Sequence, residues 1–169
     1  MQIRDAQVSD WPEMWQFMQP IVAAGETYPY ERDSSEADVR DFWMNDTPPG
    51  GTLVAVNDAG TITGTAEIHP NLPGQGAHIA NAGFMVNSQY TGQGVGRALG
   101  EAVLKRAREE GYHAMQFNAV VETNTHAVKL WHSLGFRTLT ISPETFNHPT
   151  HGLVGLHIMY QELADTIQE

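Results

Sequence analysis

The run Thr91-Gly92-Gln93-Gly94-Val95-Gly96-Arg97 is the segment whose residue types are best suited to hold a ligand. Glycines without a Cβ let the backbone come close to a bound group, and the helix start that follows presents unpaired N–H groups at the positive end of its dipole. Together they make an anion site suited to phosphate. What is missing narrows the class. A dinucleotide turn of the G-x-G-x-x-G type needs glycine where Arg97 stands, and a P-loop ends in Gly-Lys-Ser/Thr, which Gly96-Arg97-Ala98 does not supply. Histidine is plentiful, but proline interrupts His148-Pro149-Thr150-His151 and no carboxylate-rich or thiolate ligand set accompanies it, so no metal is expected.

A strand must deliver the chain to this turn and a helix must carry it away. His78 to Val86 has a strand pattern. After the turn, Val95, Ala98, Leu99, Ala102, Val103 and Ala107 recur at helical spacing, with Glu101, Lys105, Arg108 and Glu109 facing away and Gly111 as the C-terminal cap. Ala114 to Val121 reads as a buried strand, which makes 78–121 a β-loop-α-β unit with parallel strands. Upstream, Thr52 to Asn57 and Thr61 to His69 are joined by the hairpin turn Asn57-Asp58-Ala59-Gly60 and complete an antiparallel meander.

The chain opens on an extended stretch, Gln2 to Asp5. A helix then starts at Asp10, with Glu13 in a capping box and Trp11, Met14, Trp15, Met18, Ile21 and Val22 on its apolar side; Pro20 is expected to kink or shorten it. A second helix begins at Ser34 or Ser35, buries Val39, Phe42 and Trp43, and ends before Pro48-Pro49-Gly50-Gly51. Asn124 opens a helix carrying Ala127, Val128, Leu130, Trp131 and Leu134 that Gly135 ends, and strands at Phe136 to Ile141 and Leu153 to Gln161 close the sheet. The expected fold class is α+β: a central mixed, mostly antiparallel sheet flanked by helices, in the order β-α-α-β-β-β-α-β-α-β-β.

A chain of 169 residues buries about 70% of its unfolded surface as one domain, read here as residues 1–169. Zero cysteines exclude a disulfide framework and a thiol nucleophile. Nine Lys+Arg against 20 Asp+Glu, a formal net charge of -11, argue against a nucleic-acid partner. Met1-Gln2-Ile3-Arg4-Asp5 lacks the apolar core of a signal peptide, and apolar runs fall far short of the ~20 residues that span a bilayer, so no membrane partner and a cytoplasmic location are expected.

With its motifs in this order the sequence resembles the GNAT superfamily of acetyl-CoA-dependent N-acetyltransferases, closest to small-molecule, phosphinothricin-type members. Residues 91–96, after a strand ending at Val86, stand where the family carries Arg/Gln-x-x-Gly-x-Gly/Ala. The run from Asn124 to Phe136 is similar to the signature Asn-x-x-Ala-x-x-Leu-Tyr-x-x-x-Gly-Phe. Thr91 replaces the usual Arg or Gln, and Trp131 replaces the tyrosine that often protonates the leaving thiolate; an indole N–H cannot serve as that acid. The resemblance implies acetyl transfer to an amine by direct attack in a ternary complex, with acetyl-CoA as donor. It implies pantetheine in a gap between the strands ending at Val86 and Val121, paired with backbone groups of Phe84, Met85 and Val86, one strand N–H polarising the thioester oxygen. Gly92, Gln93, Gly94, Val95 and Gly96 would hold the pyrophosphate, Arg97 a CoA phosphate, and Asn124 the cofactor by its side chain.

For the base, His78 is the first candidate and Glu67 the second, Glu67 sharing a strand face with His69 by period 2. Tyr160 is the candidate replacement acid. In the family the acceptor pocket is walled by the connection of the first helices, here Gly25 to Tyr30 with Glu26 and Tyr28 as substrate-binding candidates, and by the last strands, here Phe146 to His151. The tryptophan and methionine stripes are core or the contact of a homodimer. Two other readings stand beside the small-molecule enzyme: a CoA-binding regulatory module without turnover, and a protein or peptide N-acetyltransferase.

Overall fold

Alternation along the strands turns one set of side chains to each face of a seven-stranded sheet. In the computed structural model, which describes residues 1–45 and 48–163, the elements are β1 (Gln2–Asp5), α1 (Trp11–Ala24), α2 (Glu36–Trp43), β2 (Gly51–Val56), β3 (Ile62–Pro70), β4 (Ile79–Val86), α3 (Val95–Glu109), β5 (Ala114–Val121), α4 (Thr125–Ser133), β6 (Arg137–His148) and β7 (Gly152–Glu162). The order across the sheet is β1-β2-β3-β4-β5-β7-β6, with every neighbouring pair antiparallel except β4 and β5. The expected fold class and parallel β-α-β unit are present. On one face, Leu53, Ala55, Ala66, Ile68 and Ala80 pack with Val95, Leu99 and Val103 of α3 and Trp131 of α4. On the other, Val54, Ile62 and Met85 pack with Trp11, Met14, Met18 and Val22 of α1 and Val39 and Trp43 of α2. No helix among the described residues is long and apolar enough to cross a membrane.

The N-terminal helices differ from the pattern in three ways. Asp10 does not cap α1 with its side chain; the carboxylate accepts from Arg4 Nη1 and Nη2 at 2.7 and 2.9 Å and from the Gln7 N–H at 2.7 Å, while Glu13 Oε1 takes the Ile62 N–H at 2.8 Å. Both carboxylates thus tie the helix start to the sheet and its approach. α1 continues through Pro20 to Ala24. α2 is capped by Ser35, which accepts from the Asp38 N–H, and buries Val39 and Trp43, but Phe42 at the margin of that stripe is 47% exposed. At the other end of the chain β6 runs on to His148, beyond the expected Ile141; it is an edge strand, where Pro143 breaks no ladder, and register shifts and a left-handed Glu144 (φ 56°) absorb the irregularity.

The feature that positions the site is the way β4 and β5 part. They pair only at Ile79 with Ala114 and Ala80 with Met115, and beyond that β5 leaves to follow β7, with a bulge between Phe117 and Val120. The Ile79 carbonyl accepts from Asn71 N–H and the Asn87 N–H donates to Thr63, both on the β3 side, whereas the His78 carbonyl accepts from His113 N–H on the β5 side. By alternation, Ala82, Phe84 and Val86 direct their N–H and C=O groups into the opened gap.

Candidate active site

A cleft of about 430 Å³ fills this gap. Its walls come from the α1–α2 connection (27–30), Phe42 of α2, Glu67 and His69 of β3, residues 81–84 of β4, the bulged half of β5, and Asn124, Ala127 and Trp131 along α4 and its N-cap. The floor is aromatic: the Trp131 ring lies 4.6 Å from that of Phe84 and 4.9 Å from that of Phe117, which stacks on Phe136 at 4.3 Å. The tryptophan that stands in the expected tyrosine position is a buried prop under the gap. An amide bridge crosses the gap nearer its closed end, where Asn71 Oδ1 accepts from Asn81 on β4 at 3.2 Å and from Asn118 in the β5 bulge at 2.7 Å.

The gap-facing backbone of β4 is partly covered. Asn81 Oδ1 accepts the Ala82 N–H at 2.8 Å. Tyr28 accepts the Phe84 N–H and donates its own hydroxyl proton to the Phe84 carbonyl at 3.0 Å. The ring reaches this point because Gly83 leaves room: a Cβ there would stand 2.8 Å from Tyr28 Oη and 2.7 Å from Glu67 Oε1. Burial, then the charge of Glu67 and the neighbouring Tyr30, push the Tyr28 phenol well above its ordinary range, and burial pushes Tyr30 up to about 12. Tyr28 is a neutral donor at this position. The two rings stack at 5.6 Å, and Tyr30 accepts the Trp43 indole N–H at 3.0 Å, fixing the connection over the core.

Glu67 pairs opposite Gly83, is 5% exposed, and faces the cleft beside Tyr28. His69 lies on the same face, as the period predicts, with Nδ1 2.6 Å from Glu67 Oε2 and the ring edge-on to Phe42 at 5.4 Å between centroids. Phe42, half-exposed, therefore stands at the cleft wall and not in the core. His69 was visible from the sequence only as a neighbour of Glu67; the signal that could have selected it is the Glu-x-His spacing on a strand beside the parting strands.

Three expected site residues lie elsewhere. His78 is exposed at the end of β4 that is paired with β5, facing His113 at 6.1 Å, because the strands part toward their C-terminal ends and not where β4 begins. Tyr160 pairs with Gln116 and Arg137, and its ring packs under the Arg137 guanidinium at 5.3 Å, outside the cleft. Glu26 is exposed just after the left-handed Gly25 and does not line the cleft. The 146–151 stretch also lies outside its walls: it forms the β6–β7 turn, in which His148 Nδ1 accepts from the N–H groups of Thr150 and His151.

The glycine turn leads from β4 into α3. Gly92 (φ 79°) and Gly94 (φ 81°) are left-handed, the latter as N-cap of the 15-residue helix. Nothing lies within 4 Å of a Cβ placed at either, so the backbone conformation, not crowding, calls for glycine. The first turn has no acidic residue, leaving the helix start without a built-in anion. Arg97 turns toward α4, donating to Ser133 Oγ at 2.6 Å with Glu101 3.6 Å away. Asn124 caps α4, its Oδ1 accepting from Ala127 N–H at 3.3 Å, while lining the cleft.

The glycine turn and the start of α3 thus lie directly beyond the point where β4 and β5 part. The sequence matches the acetyltransferase (GNAT) family over residues 6–136, and the chain belongs to that family. A GCN5-related N-acetyltransferase from Kribbella flavida shares 52% identity and superposes with a TM-score of 0.93, covering 96% of this chain and 97% of that one. A phosphinothricin acetyltransferase from Sinorhizobium meliloti, solved in complex with acetyl-CoA, shares the fold at 20% identity and a TM-score of 0.88, covering 99% and 91%. The N-acetyltransferase aca1 of Schizosaccharomyces pombe is 29% identical over a 133-position alignment that covers 71% of this chain and 64% of that protein's length.

Proposed function

We propose that the protein is an acetyl-CoA-dependent N-acetyltransferase that moves the acetyl group to a primary amine of a small molecule or amino acid, by direct attack in a ternary complex. The observation that carries the reading is the parted β4 edge, which offers inward-facing backbone groups and leads straight into an anion-binding helix start. The residues fit the donor by chemistry. The first turn of α3, approached through Gly92 to Gly96, suits a pyrophosphate. The gap-facing groups of Ala82, Phe84 and Val86 suit the amides of pantetheine, and the Phe84 N–H suits an oxygen that gains negative charge during transfer. Asn124 has its amide nitrogen left for the same ligand, since its oxygen caps α4. Acetyl-CoA, when bound, supplies an acyl carbon already activated as a thioester.

The chain must position an amine and remove a proton from its ammonium form, and the proton falls to the Glu67 side of the cleft. Glu67 is the one carboxylate among the described residues lining it. The walls at Tyr28, Tyr30 and Phe42 give an acceptor with a cationic amine ring faces to lie against. A small cleft favours a small acceptor. No acid at the Trp131 position is required, because a thiol, with a pKa near 8.5 in free cysteine, leaves readily as the thiolate.

The test is calorimetric titration with acetyl-CoA, followed by thiol release against amino acids, polyamines and short peptides. Binding with release for amino acids or polyamines is expected; release for peptides alone would move the acceptor to proteins. Trp131 favours a second reading, a module that senses acetyl-CoA, and binding without release for any amine would establish it.

A further inference from the structure

Glu67 and His69 stand two residues apart on β3, and alternation brings both to the face covered by α1, α2 and their connection. The Glu67 side chain is 7% exposed and the His69 side chain 35%, so the carboxylate lies inside and the imidazole at the rim. A carboxylate only accepts, so the 2.6 Å contact calls for a ring proton on Nδ1, and in the neutral ring the lone pair then stands on Nε2. Phe42, edge-on at 5.4 Å, restricts rotation of the ring. The same two residues also line a second cavity of about 280 Å³, walled by Asn45, Pro48, Pro49, Gly51 and Pro70. Phe42, Glu67 and His69 thus lie on the wall common to the two cavities. Tyr28 and Tyr30 come from the α1–α2 connection, Asn81 stands opposite on β4, and Phe42 and Asn45 approach from α2 and the segment after it; among the described residues lining either cavity, Glu67 is the one carboxylate and there is no Lys or Arg.

We propose that His69 is the base that takes the proton of the acceptor's ammonium group, that Glu67 is its positioning carboxylate, and that the second cavity is the proton's way out to solvent. This deepens the acetyl-transfer reading and rests on it. The ammonium gives one proton to Nε2, making the imidazolium. The freed nitrogen pair forms the N–C bond as the C–S bond breaks, its electron pair leaving on sulfur. The second proton of the nitrogen goes to that thiolate, giving free CoA, and the imidazolium returns its proton to water. Atoms and charge balance, and no further reactant is needed.

Three variants and three kinds of readout test this. His69→Gln is expected to lower kcat/KM about 10²-fold for amines that are ammonium ions near neutral pH, but less than about threefold for a hydrazine-type acceptor that is already neutral. Its acetyl-CoA affinity by calorimetry should match that of the parent. Added imidazole should restore part of the rate to His69→Ala. In the free protein, nitrogen-15 spectra should find the His69 ring protonated on Nδ1, and Glu67→Gln should remove that preference. A uniform loss across both acceptor types, an unchanged rate, or an Nε2-protonated ring in the parent would each overturn the proposal. Failure of the parent to bind acetyl-CoA would instead remove the acetyl-transfer reading, and the base with it.

Discussion

Tyr28 holds both backbone groups of Phe84 with one hydroxyl. Under the proposed function the Phe84 N–H is the donor to the thioester oxygen, so acetyl-CoA must take that bond over from the phenol. The phenol itself is an unsuitable proton source for a departing thiolate, since burial beside Glu67 makes it a weaker acid than any thiol. Tyr28→Phe leaves the Phe84 groups unpartnered and is expected to cost the ligand-free protein about 1–3 kcal/mol. Acetyl-CoA should then raise the melting temperature of the variant more than that of the parent. Equal shifts in paired thermal melts would separate Tyr28 from the donor's position.

The elements were legible to the extent that they depend on neighbours in sequence. The β-α-β unit, the Asn57 turn, whose Oδ1 accepts from the Ala59 and Thr61 N–H groups, and the Asn124 cap follow from local spacing and side-chain chemistry. Phe42 was misread because Val39, Phe42 and Trp43 share a helical stripe, and only the packing of α2 beside His69 decides which member is left out. His78 stands apart from the cleft for a related reason: sequence marks where β4 starts, but not at which end its parallel partner leaves it. The conformation of the glycine turn is a property of an element and is testable as one. Gly94→Val imposes a left-handed φ on a β-branched residue with no clash to relieve, an expected cost of about 1–3 kcal/mol. The domain should still fold, by circular dichroism, while acetyl-CoA affinity falls at least tenfold in calorimetry; full affinity would take the phosphate site away from α3.

Across the whole molecule, the sheet is joined to its N-terminal helical layer by the bidentate Arg4–Asp10 pair as well as by apolar packing. The Arg4 guanidinium, more than the Gln7 N–H, holds the Asp10 carboxyl below the usual carboxylate range. A folded-state pKa below the unfolded one contributes stability above the unfolded value, near 3.9, and loses it as pH falls through the folded one. Asp10→Asn should therefore cost about 1–3 kcal/mol near neutral pH in urea unfolding, and the gap to the parent should narrow below about pH 4. Of the proposed site, the glycine turn, Glu67, its shared strand face with His69 and Asn124 could be read from sequence, whereas the Tyr28 bond and the aromatic floor join residues distant in sequence that only the folded sheet assembles. The parting of β4 from β5 also has a cost unrelated to catalysis. It leaves a raw strand edge in the middle of the sheet, the kind of surface on which stray chains add as extra strands. By occupying both backbone groups of Phe84 and the N–H of Ala82, Tyr28 and Asn81 deny an intruding peptide its first hydrogen bonds along the seam.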